Sequence, residues 1–338
     1  MSINKKRFFG FLRVIIFLTV FLLFFQAVLM TFVPKSVSTT YVPKAGANSS
    51  AWTSNMITAY IGERRNSIDI LLVGNSNLYR GFSPIDCWNS YGISSCDCAR
   101  PLQSPPGAYT VLVDALRYQS PKVIVLETDL LFPTHRTISL KTALLPDIKS
   151  VNTETGKDIA KIASSLKDLP SANDNLHFIY KGFIVSKVQK PFEGGFKYMT
   201  VHANTPVPLK PGSLQFLNET VALCKQKNIK LVLLSIPSAK SWSISKHNAV
   251  AEFARVNKLE FIDYNLNKEN NIGFNWLKDT YDGGTHLNIY GAHKVSLYFG
   301  KYLTENFQPA DHRGDPVYAQ WAEDLKQSYL NNAGTLFA

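Results

Sequence analysis

Runs rich in Val, Ile and Leu recur along this chain, and between them lie amphipathic stretches of helical period. Segments 67–74 (SIDILLVG), 121–129 (PKVIVLETD), 229–237 (IKLVLLSIP) and 259–265 (LEFIDYN) read as buried strands. Segments 105–119, 214–228, 245–257 and 288–307 read as helices, the first opened by Pro105 and Pro106. Strands that are apolar throughout have no solvent face, so they demand cover on both sides. Alternation with helices then predicts an α/β fold, a three-layer α/β/α sandwich around a central parallel sheet. In such sheets the ligand crevice lies beyond the carboxyl ends of the strands. The rhythm breaks over 140–210, which is expected to be a partly helical insertion lying over that edge as a lid or partner surface.

Val14 to Val33 is uncharged throughout. At about 1.5 Å per residue it is long enough to cross a hydrocarbon core of ~30 Å, and no small-residue cleavage pattern follows it. Lys5, Lys6, Arg7 and Arg13 precede the run and Lys35 follows. This predicts a retained single-pass anchor with a cytoplasmic N-terminus and an extracytoplasmic remainder. The expected layout is anchor 1–34, linker 35–57, α/β domain 58–310 and C-terminal helix or tail 311–338. The formal charge of +11 suits an anionic membrane or wall surface, or simply solubility. Nucleic acid is excluded as a partner, because no basic cluster with interleaved aromatics occurs. Cys87, Cys96, Cys98 and Cys224 sit in a compartment that permits disulfides. Pairing and buried free thiols both remain open, and Cys96-Asp97-Cys98 lacks the second pair of a zinc site.

Residues 70–84 read ILLVGNSNLYRGFSP, a strand that stops on a small polar turn. Such a turn lifts the Ser76 hydroxyl to the functional edge of the sheet. A serine becomes a nucleophile only when a base takes its proton, normally a histidine oriented by a carboxylate. His286, in KDTYDGGTHLNIYGAHK, follows the last strand and precedes the closing helix, so it belongs to the same edge. Asp282 and Asp279 both precede it closely, and Asp282 is the preferred partner. His135, His177, His202, His247, His293 and His312 have no comparable setting.

Gly74-Asn75-Ser76-Asn77 resembles the first block of the SGNH (GDSL-type) hydrolase superfamily, and DGGTHLNIYGAHK resembles its last. The anchored variant is similar to the teichoic-acid D-alanylation protein DltD and to the SGNH proteins that partner membrane-bound O-acyltransferases. The resemblance covers about 66–132 and 212–306. It implies an SGNH/flavodoxin-like sheet, Ser76 as nucleophile, His286 as base, and the backbone N–H of Asn77 as an oxyanion donor. It also implies acyl transfer, with acetyl as the expected group, onto a cell-surface polysaccharide, with a membrane-bound O-acyltransferase as partner on the donor side. A surface carbohydrate esterase and a noncatalytic scaffold are the alternatives. No metal and no diffusible cofactor is implied.

Three departures stand out. The family acid lies three residues before the histidine, where this chain has Gly283. The glycine block of the second oxyanion donor falls near CARPLQSPPG, where the Gln103 side chain is the candidate substitute. The Gly-x-Asn-Asp block is replaced by VLETDLLF, with Thr128 and Asp129 at the cleft or capping the strand. Ser238, Lys240 and Trp242 end another strand on this edge and are candidate sugar contacts. Arg80 is a candidate for binding a carboxylate or phosphate, or for a surface salt bridge.

Overall fold

The structure is a computed structural model that describes residues 39–41, 59–133, 176–200, 207–266 and 272–332. The expected membrane span and most of the insertion lie outside the described residues. Among the described residues no helix is long and apolar enough to cross a membrane. Thr39–Tyr41, within the expected linker, pairs in parallel with Leu176–Phe178.

Five strands form one sheet: β1 (Ile70–Gly74), β2 (Ser95–Ala99), β3 (Val123–Glu127), β4 (Lys230–Ser235) and β5 (Glu260–Asp263). Their spatial order is β2-β1-β3-β4-β5, and every neighbouring pair is parallel. The expected parallel α/β sheet is therefore present. The pleat sends alternate residues to opposite faces. Leu71, Val73, Ile124, Leu126, Leu231 and Leu233 enter one apolar core. Ile70, Leu72, Val123, Val125, Val232 and Leu234 enter a second core on the other face. Each such side chain contributes about 1.5–3 kcal/mol by leaving water.

The first core is closed by α3 (Pro105–Ala115), α4 (Pro211–Gln226) and α5 (Ile244–Asn257). The second is closed by α1 (Ser76–Gly81) and α6 (Ile289–Phe307), while α2 (Pro84–Tyr91) serves both, with Cys87 in the second core and Ile85 and Trp88 in the first. Ser104, Ser243 and Asn288 cap α3, α5 and α6 by accepting backbone N–H bonds, as their residue types predict. The tail folds back as α7 (Ala319–Asn331), where Trp321 packs 4.9 Å from Trp88. Lys181, fully buried, pairs with Glu63 at 2.6 Å and Asp324 at 2.5 Å. This ties α7 to the described end of the insertion.

From there the chain runs along the carboxyl edge of the sheet. Ile184 N–H donates to Tyr79 at 2.7 Å, Lys190 N–H to Thr280 at 3.0 Å, and Phe192 N–H to Trp276 at 2.9 Å. This part of the insertion is a brace bonded to both edge loops. All four cysteines are free and buried, which settles the open question of pairing in favour of thiols.

Candidate active site

In this strand order the chain reverses direction across the sheet between β1 and β3, and the crevice opens at their carboxyl ends. Ser76 leaves β1 there, and Glu127 to Asp129 leave β3. Gly74 is required by contact: a β-carbon on it would meet Leu78 Cβ at 2.7 Å and Glu127 Cβ at 2.8 Å. Asn75 then caps α1, its Oδ1 accepting the Asn77 N–H at 2.8 Å. Its Nδ2 reaches across the switch point to Asp129 at 3.0 Å. Ser76, the first helical residue, is left half-buried with its hydroxyl free to leave the helix.

The opposite wall is the loop 279–288. Thr280 Oγ1 accepts the N–H groups of both Gly283 and Gly284 at 3.0 Å. Asp282 Oδ1 accepts the N–H groups of Thr285 and His286, each at 2.9 Å. Gly283 and Gly284 have φ of 79° and 116°, where side-chain-bearing residues are strained. The loop therefore closes on itself and aims two side chains together. Asp282 Oδ2 lies 2.6 Å from His286 Nδ1, and His286 Nε2 lies 2.8 Å from Ser76 Oγ.

Burial pushes the Asp282 carboxyl up, but the bonds from His286 and Thr285 outweigh it and hold it below the usual carboxylate range. An ionised Asp282 can only accept, so Nδ1 carries the proton and Nε2 accepts from the serine. This is the tautomer a general base needs. Side chains of His286 and Asp282 are 20% and 29% exposed, so a reactant can reach them.

A polar strut joins the two walls. Asn77 Nδ2 donates to Ser241 Oγ at 3.1 Å, Ser241 Oγ lies 2.5 Å from Ser238 Oγ, and Ser238 donates to the Thr285 carbonyl at 2.7 Å. Lys240 N–H bonds the Gly284 carbonyl at 3.0 Å. The β4 loop thus holds the histidine loop against the serine helix.

Several expectations need correction. Asp279 does not approach His286; it is buried and bonded to Lys294 Nζ at 2.7 Å and Asn275 N–H at 2.6 Å. The Asn77 N–H, expected to face an oxyanion, is committed to Asn75. Trp242 is not an open sugar platform. It is 4% exposed, donates to Asp263 at 2.9 Å and packs edge-on against Phe132. Ser238 is likewise buried in the strut. Gln103 is buried, its Oε1 bonded by Arg100 Nε and its Nε2 without a partner among the described residues. Thr128 is buried, and Asp129 takes Asn75 and Lys246. Arg80 makes no salt bridge among the described residues; its guanidinium lies 4.3 Å from the Tyr281 ring centroid.

His247, His293 and His312 each pair with an aspartate, at 2.8, 3.0 and 2.6 Å. A His–Asp pair is thus common in this chain. The His286 pair carries in addition the Ser76 hydroxyl on its second ring nitrogen. Two residues escaped the sequence reading. Tyr79, three positions after Ser76, is buried, and the Arg80 guanidinium lies 5.8 Å from its ring centroid. Its helical spacing from the serine was the available signal. Tyr281 carries the Arg80 stack, and no sequence signal marks it.

No protein-family description matches the chain, and no curated protein matches it. Among solved structures it is similar to a protein of Bacteroides fragilis NCTC 9343 provisionally described as an acylhydrolase. The two are 13% identical with a TM-score of 0.37, over 78% of this chain and 99% of the other. A likeness of that size fixes neither family nor chemistry.

Proposed function

We propose that the chain is a serine-dependent acyltransferase of SGNH type. It works outside the membrane on a cell-surface polysaccharide, beside a membrane-bound O-acyltransferase that delivers the acyl group. The observation that carries the reading is the continuous Ser76–His286–Asp282 hydrogen-bonded chain at the carboxyl edge of a parallel sheet. In the first step Ser76 Oγ attacks the acyl carbonyl while His286 Nε2 takes its proton. The C–O bond to the donor breaks, and His286 returns the proton to the leaving oxygen, leaving an ester on Ser76. In the second step a glycan hydroxyl gives its proton to His286 and attacks that ester. Ser76 recovers the proton as the acylated glycan departs. Water in place of the glycan would give the esterase reaction by the same route. Asp282 orients the imidazole and stabilises the imidazolium formed in each step.

A second reading, a noncatalytic scaffold, draws on the Asn77 N–H. That donor is held by Asn75 and serves a developing oxyanion only if Asn75 releases it. Surface O-acetylation in cells producing full-length Ser76→Ala separates the two. Loss of acetylation with normal protein levels supports transfer through Ser76. Unchanged acetylation overturns it in favour of the scaffold.

A further inference from the structure

Arg80 stands one helical turn beyond Ser76, on the same side of α1. Its guanidinium carbon lies over Tyr281, 4.3 Å from the ring centroid, and the residue is half-buried. Tyr281 belongs to the histidine loop, its N–H bonded to the His286 carbonyl at 2.9 Å. Arg80 therefore spans the serine helix and the histidine loop. A planar cation stacked on a ring keeps its edge N–H groups directed outward, in the fork that fits a carboxylate or phosphate.

Among the described residues, the carboxylates on the surrounding loops do not neutralise it. Asp282 is taken by His286, Asp129 by Lys246 and Asn75, and Asp279 by Lys294. Removing a charge from water without a counter-charge is costly, so a half-buried arginine beside a reactive serine implies a partner that arrives. Further cations stand over the same loop. A β-carbon built on Gly283 would lie 3.6 Å from both Lys240 Nζ and Lys190 Cγ.

We propose that Arg80, stacked on Tyr281, is an anion subsite that reads a carboxylate or phosphate next to the reacting hydroxyl. The substrate is thereby an acidic glycan. This deepens the reading of Ser76 as the acyl-carrying serine. Lys240 and Lys190 add a diffuse field that draws the polyanion in and weakens with salt.

The test is equilibrium binding to the full-length Ser76→Ala chain. The probes are a glucuronate oligosaccharide, inorganic phosphate and a neutral glucose oligosaccharide of equal length. The acidic chain or phosphate should bind at least tenfold tighter than the neutral one. Adding Arg80→Gln should remove that preference, and Arg80→Lys should restore part of it. Preference for the glucuronate chain identifies a uronic acid, and preference for phosphate a phosphodiester polymer. Equal binding of the neutral chain, or acidic binding indifferent to Arg80→Gln, overturns the subsite. Serine reactivity is measured separately on the wild type. Arg80-dependent binding with an inert serine leaves the subsite and removes acyl transfer. A reactive serine without Arg80-dependent binding does the reverse.

Discussion

Asp282 and His286 are four residues apart and meet twice: Asp282 Oδ2 faces the ring Nδ1 at 2.6 Å, and Asp282 Oδ1 accepts the His286 backbone N–H at 2.9 Å. One carboxylate thus shapes the loop and orients the ring. Asp282→Asn should keep the backbone bonds while destroying the tautomer preference, lowering serine reactivity by about 10²–10⁴-fold. Asp279→Asn should lower the melting temperature, because it unpairs Lys294, while leaving Ser76 reactive. Reactivity toward an organophosphorus probe, beside thermal melts of both variants, checks the pair. Equal reactivity losses would contradict the assignment.

The two hydrogen bonds between these residues depend on two glycines with positive φ. Alanine at Gly283 or Gly284 should cost about 1–3 kcal/mol of strain. Gly284→Ala should be worse, because its β-carbon would lie 2.9 Å from the Phe192 ring. Urea unfolding ranks the two, and the opposite order would mean that Phe192 moves aside freely.

Two buried acids give stability a distinctive pH dependence. Burial raises the carboxyls of Asp97 and Glu127 well above the usual range; Cys98 and Asp129 respectively add to it. Neither Asp97 carboxylate oxygen has a hydrogen-bond partner among the described residues. Above about pH 4 the unfolded chain loses these protons and the folded chain keeps them, so stability falls as pH rises toward their folded values. Asp97→Asn and Glu127→Gln should each gain stability relative to wild type as pH rises above about 4. Asp282 runs the other way. Its lowered carboxyl contributes stability above about pH 4 that is lost as pH falls through its folded value. Melts across this pH range decide the matter, and curves for wild type and Asp97→Asn that stay parallel would refute the buried neutral acid.

Trp242 belongs to the core. Trp242→Ala should destabilise the fold by about 3–5 kcal/mol. Urea midpoints of wild type and variant check this. A variant of wild-type stability with weakened glycan binding would restore the sugar-contact role.

Much of this was legible because strand and helix periods are local. Apolar runs such as ILLVG and VIVLE have only one way to be buried, and a serine directly after such a strand sits at the carboxyl edge wherever the strand lies in the sheet. His286 could be placed on the same edge for the same reason. Strand order and through-space contacts are not written in local pattern. Trp242 beside polar residues looks the same whether it faces a sugar or Asp263. The Arg80–Tyr281 stack joins positions distant in sequence. The choice between Asp282 and Asp279 turned on two glycine conformations that spacing alone does not reveal.

His286, held by Asp282, is placed to activate Ser76. Labelling of the full-length chain with a fluorophosphonate, wild type beside Ser76→Ala and His286→Ala, measures that activation. Wild type should form a stable adduct mapped to Ser76, and neither variant should form one. An unlabelled wild type, or a His286→Ala chain labelled as fast as wild type, would contradict it.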